Sequence, residues 1–274
     1  MLELFLLTRS KKLSRLAVRS PYLTLVGASA LLISFWTVVL DAIGSPVGVI
    51  VTVDVLDFLL VSYAVWSAPT RAMREAVSSL NDLCDPYPML ALCETLLRRR
   101  SSTKRRLDVT LNYCIALDMV GEHQRAYDLL ASVPVGTAEE TSPMPTVGYC
   151  AALASICTSL DRKEQAMPHL ERVLTRCETV SDTQERTGLA PTVSAARAYM
   201  SYLAGDYESC LVHLKNATHS TLLDEMRRAW LYANASLAIG DTQTAKKKLH
   251  RIVQQGHRLH LVDEAKKLLK TIGS

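Results

Sequence analysis

The sequence predicts an all-α protein: an N-terminal transmembrane helical hairpin followed by an α-solenoid of stacked helix pairs. Three observations predict it. First, one local pattern occurs four times, at Gly121-Glu122 with Ala126, Asp161 with Ala166, Gly205-Asp206 with Cys210, and Gly240-Asp241 with Ala245. In each, a turn residue is followed five places later by a small residue, and the turn residues lie 40, 44 and 35 residues apart. Repeats of that length are stacked supersecondary units. Second, no strand-like alternation persists anywhere, whereas helical periodicity does. Third, residues 21–40 are apolar and carry no charge.

Residues 1–20 form a basic segment with Lys11, Lys12, Arg15 and Arg19, placed in the cytoplasm. The run at 21–40 is long enough for a helix of about 30 Å, the thickness of a hydrocarbon core. A second run follows at 47–68 and contains Asp54 and Asp57 on one helical face. Each acid costs about 2.5–3.5 kcal/mol at mid-bilayer, while each large aliphatic residue returns about 0.3–0.6 kcal/mol. The second run is therefore balanced alone and favourable when its acids face a partner helix, where Ser34 and Thr37 offer hydrogen bonds. The connection at 41–46 has no Lys or Arg, and Arg71 and Arg74 follow the second run. The positive-inside rule then puts both ends in the cytoplasm. The acid pair has two readings, a proton or partner-helix site or a plain packing contact.

Residues 69–106 read as a helical linker or degenerate repeat. A stretch opens at Pro69 and ends near Leu83, and Asp85-Pro86 starts a helix running to about Arg100. Residues 107–257 hold the four repeats, and 258–274 read as a capping helix with Leu259, Val262, Leu268 and Leu269 for packing. Residues 134–146 and 181–191 have loop composition.

The segments 111–130, 152–174, 196–217 and 230–253 resemble tetratricopeptide repeats. The resemblance rests on small residues in the first helix (Cys114, Ala154, Ala198, Ala233), the four turn residues, small residues in the second helix (Ala126, Ala166, Cys210, Ala245), and Leu130, Leu170, Leu214 and Leu249 one turn later. The family's aromatic near the repeat start is missing except at Trp230, its closing proline is mostly missing, and Arg197 stands where an apolar residue is usual. The resemblance implies a cradle that binds protein, with first helices lining the concave face. By phase that face carries the peptide-groove candidates Leu111, Ile115, Tyr199, Tyr202, Trp230 and Asn234. Tyr199 and Trp230 have a second reading as inter-repeat core. Leu111, Ala151 and Ala195 fall where chaperone-tail-binding members carry basic residues, which argues against such a tail as ligand.

The composition is that of a packed protein, 49 % apolar with a net charge of +4. Seven cysteines without a C-x-x-C pair read as buried hydrophobes in a reducing compartment. No phosphate loop, zinc motif or nucleophile arrangement is present, so no enzyme activity, cofactor or metal site is expected. His257 and His260 read as a solvated pair on a helix. Arg98, Arg99, Arg100, Lys104, Arg105 and Arg106 form a basic block with two readings, a cytoplasmic flank that fixes topology or a patch for anionic lipid head groups. It lacks the aromatics that nucleic-acid binding needs. The expected function is a membrane-anchored scaffold or adaptor that binds a protein or peptide at the cytoplasmic face of the cell membrane. The expected contacts are that partner, the lipid bilayer, and a second copy through the membrane helices. The rival reading is a single span carrying an external repeat domain that assists exported proteins.

Overall fold

The computed structural model describes residues 20–43, 47–98, 103–133, 143–180, 183–216 and 221–273. They form twelve α-helices and no strand: α1 (Pro21–Ala42), α2 (Val47–Leu83), α3 (Tyr87–Leu97), α4 (Thr103–Met119), α5 (His123–Ala131), α6 (Pro143–Ser159), α7 (Lys163–Glu178), α8 (Thr183–Leu203), α9 (Tyr207–Asn216), α10 (Leu222–Ala238), α11 (Thr242–Gln255) and α12 (His260–Gly273). The chain divides into two compact units, Met1–Glu75 and Ala76–Ser274.

In the first unit, Pro21 opens α1 at the position where a missing N–H costs nothing. Thr24 and Thr37 donate their hydroxyls to the carbonyls of Ser20 and Ile33, so neither is left unsatisfied. Leu25, Ala28 and Leu32 of α1 pack against Val61, Val65 and Ala68 of α2. The opposite faces carry bare apolar side chains, including Leu23, Leu31 and Val38 on α1 and Leu59, Tyr63 and Trp66 on α2. The stretch Leu23–Asp41 has a mean hydropathy of 2.1 and is 11 % buried, and among the described residues it is the one long and apolar enough to cross a membrane. The start expected at Pro69 is corrected: α2 runs straight through it. A proline removes only one helical hydrogen bond, and its neighbour Ala68 is held by burial.

In the second unit α4 packs on α5, α6 on α7, α8 on α9 and α10 on α11, and each pair packs on the next. The interhelix turns explain why. Gly121, Asp161, Gly205 and Gly240 have φ of +89°, +55°, +80° and +84°, the left-handed conformation that ends a helix. Each turn makes the same two backbone hydrogen bonds. Gly121 N–H reaches Asp118 O at 3.1 Å and Glu122 N–H reaches Leu117 O at 2.9 Å; the other three repeat this as Asp161 to Thr158 with Arg162 to Cys157, Gly205 to Tyr202 with Asp206 to Ser201, and Gly240 to Leu237 with Asp241 to Ser236. The small residues sit where the paired helices meet: Cys114, Ala126, Ala166, Ala198, Cys210, Ala233 and Ala245 are wholly buried and Ala154 nearly so. Helices that approach to about 8–10 Å require this.

The expected loop at 181–191 is also corrected, since α8 begins at Thr183 and continues through Gly188 and Pro191. Leu189 and Ala196 are buried two turns apart on one face, and that packing outweighs the loop-like composition. Of the loop expected at 134–146, residues 134–142 lie outside the described residues, and 143–146 are corrected to the first turn of α6.

The last helix returns to the beginning of the unit. Leu80 and Cys84 at the end of α2, Met119 of α4, Met226 and Ala233 of α10, Leu249 and Ile252 of α11, and Leu259, Val262 and Ala265 at α12 share one core, with Leu268 and Leu269 packed against it. Arg258 N–H reaches Cys84 O at 3.4 Å. The Arg258 guanidinium pairs with Asp85 at 3.3 Å and lies 4.0 Å over the Tyr87 ring. Asp85 also accepts the Tyr87 N–H at the start of α3.

Candidate functional site

The first helices of the four pairs, α4, α6, α8 and α10, face a cavity of about 430 Å³, with walls completed by residues of α7 and α9. Its apolar walls include Ile115, Val147, Leu170, Leu189 and Leu231. At its polar end a hydrogen-bonded chain crosses all four first helices. His123 Nδ1, at the start of α5, meets Asp118 Oδ1 at 2.6 Å. Ser155 Oγ donates to Asp118 Oδ2 at 3.2 Å, and Arg227 Nη2 donates to Ser155 Oγ at 2.5 Å. Arg227 also bonds the hydroxyl oxygen of Tyr199.

Electrostatics follow from this chain. Burial pushes the Tyr199 hydroxyl above its ordinary value, against the pull of Arg227. Burial works to lower Arg227, yet Tyr199 and the carboxylates of Asp118 and Asp224 hold it above its ordinary value. Arg228 is lowered by burial and supported by Asp224, one turn before it on α10. His123, Asp118 and Ser155 are the residue types of a hydrolase triad, but the carboxylate sits between the other two. The imidazole does not touch the serine hydroxyl in this arrangement, so it is no base for that nucleophile.

The groove candidates separate into four places. Ile115 and Tyr199 line the cavity. Trp230 packs against the core of α10–α12, and its carbonyl accepts from Asn234 Nδ2 at 2.8 Å. Tyr202 packs edge-on to Tyr207 at 5.6 Å beside Cys210 and Leu214. The Leu111 side chain abuts Gly148 of α6, 3.3 Å from where a Cβ would stand. Arg98, Arg105 and Arg106 are exposed, whereas Arg99, Arg100 and the Lys104 side chain lie outside the described residues, as do the side chains of Asp54 and Asp57. Among the described residues no group of His, Cys, Asp and Glu is arranged to hold a metal. The reading of His257 and His260 as a solvated helical pair is corrected. His257 sits in a turn with φ +47°, and the His260 ring packs edge-on to His123 at 5.5 Å.

Sequence reasoning missed Asp118, Ser155 and Arg227. The signal was present in the same helical phase: Asp118 follows Leu111 and Ile115 on one face of α4, and Arg227 precedes Trp230 and Asn234 on α10. All seven cysteines are buried and none forms a disulfide. Burial pushes the thiols of Cys93, Cys114 and Cys210 up to about 12. No protein family matches the chain, and comparison with curated proteins and with solved structures gives no match either.

Proposed function

We propose that this protein is a membrane-anchored scaffold of tetratricopeptide-like repeats that holds a protein partner at the cytoplasmic face of the bilayer. One observation carries the anchor: apolar side chains are bare on α1 and on α2 between Val55 and Trp66, while the contact between those helices is already packed. Bare apolar surface of that extent needs a covering phase, and the uncharged length of α1 fits a hydrocarbon core. A hairpin at 21–68 then includes Asp54 and Asp57, whose cost the pairing of the two helices reduces. The reading puts the repeats on the cytoplasmic side, and the charge bias of Arg71, Arg74 and the basic block at 98–106 supports it. The repeat reading draws its support from the four identical turns and the small residues beneath them. Anchoring acts through effective concentration: a partner held next to the membrane meets other membrane-bound molecules more often without any new contact. The same reading assigns no catalytic step to the chain.

The test is the sidedness of the C-terminus, with a reporter fused after Ser274 that is active on one side only. Cytoplasmic activity in membrane fractions supports the hairpin. External activity replaces it with a single span and an exported repeat domain, and a chain that stays in the soluble fraction ends the anchor reading.

A further inference from the structure

The charged side chains that line the cavity cancel, Asp118 and Asp224 against Arg227 and Arg228. They also support one another: both carboxylates act on Arg227, and Asp224 acts on Arg228 from one turn away. His123, Ser155 and Tyr199 take the hydrogen bonds of Asp118 and Arg227, so the polar end is closed on itself. An ion entering there would give up its water and meet both signs at once, which selects against net charge. The Tyr199 hydroxyl, which accepts from Arg227, keeps its own proton to donate. The other walls are apolar and deep. Leu170 and Val173 of α7 and Leu214 of α9 are buried residues of second helices, yet they line the cavity. The space therefore passes between the first helices instead of running along their surface, which suits a compact body and not an extended chain. An ordered water needs about two to four polar partners, and these walls offer it few. A volume of about 430 Å³ is that of a small-molecule site.

We infer that this cavity binds an uncharged small molecule with a compact apolar body and one hydrogen-bond acceptor. The acceptor sits on the Tyr199 hydroxyl, and the apolar body lies against Val147, Leu189 and Leu231. Bound there, it touches α6, α8 and α10 at once. The inference rests on the second unit alone, and its failure is separable from failure of the membrane reading.

The experiment is calorimetric titration of the full chain in lipid nanodiscs with three probes of one ring system: neutral 2-acetylnaphthalene, anionic 2-naphthoate and cationic 2-naphthylmethylamine. The cost of burying an unpaired charge predicts that the ketone binds at least about tenfold tighter than either ion. Tyr199→Phe removes one hydrogen bond and should weaken the ketone by about two- to tenfold, while leaving the hydrocarbon 2-ethylnaphthalene unchanged. Ala195→Trp fills the cavity from a half-buried position on α8 and should abolish saturable binding of the ketone. Discs carrying that variant also account for probe dissolved in the lipid. If Ala195→Trp loses its helical signal, Ala151→Phe on the facing wall of α6 takes its place. An ion that binds as tightly as the ketone, no saturable ketone binding to the folded wild type, or ketone binding that persists in the filled variant overturns the inference.

Discussion

The ring of His260 occupies the space that a side chain on Gly121 would need: a Cβ built there falls 2.8 Å from the imidazole. Gly205 and Gly240 share the left-handed conformation, yet a Cβ on either meets nothing within 4 Å. The three glycines therefore separate backbone strain from crowding. Gly205→Ala and Gly240→Ala should each cost about 1–2 kcal/mol. Gly121→Ala should cost more, and His260→Ala in the same chain should recover the excess. Denaturant unfolding of the four variants checks this.

The core around α10–α12 predicts a second contrast. Leu249 is wholly buried, whereas Val212 on α9 is exposed. Leu249→Ala should destabilise by about 2–5 kcal/mol, and Val212→Ala by less than about 0.5 kcal/mol. Equal effects in chemical denaturation would show that the packing around Leu249 is misassigned.

Thiol chemistry gives a third. With every cysteine buried and Cys93, Cys114 and Cys210 raised to about 12, few thiolates are presented at pH 8. A maleimide should label the native chain slowly and all seven positions after denaturation, as counted by intact mass.

Acid sensitivity gives a fourth. Burial, with help from the neighbouring Arg172, holds His169 below its ordinary value of 6.5. The folded state therefore prefers the neutral ring. Its contribution is present above pH 6.5 and is lost as pH falls through the lower folded value. The melting temperature of the wild type should fall more steeply from pH 7 to pH 5 than that of His169→Gln.

These variants also show what was legible in the chain. The turns at Gly121, Asp161, Gly205 and Gly240 and the small residues that follow were readable because both are local: a left-handed residue ends a helix, and a small one lets the next helix approach. The pairing of Arg258 with Asp85 was not readable, because nothing in local periodicity reports where the far end of a chain returns. The Asp118, Ser155 and Arg227 chain was hidden for a related reason. Each residue is an ordinary polar side chain in its own helix, and only the stacking of α4, α6 and α10 brings them together. At Pro69 and Pro191 composition misled, because burial of Ala68, Leu189 and Ala196 outweighs one lost hydrogen bond.

The return of α12 to the end of α2 changes how this unit can fail. In an open stack each repeat touches only its neighbours, so ends fray independently and stability adds repeat by repeat. Here the last helix shares a core with Leu80, Cys84 and Met119. Loss of α12 strips cover from residues far away in sequence, and damage at either terminus is felt at the other. The shared core predicts that the unit unfolds in a single cooperative event rather than pair by pair.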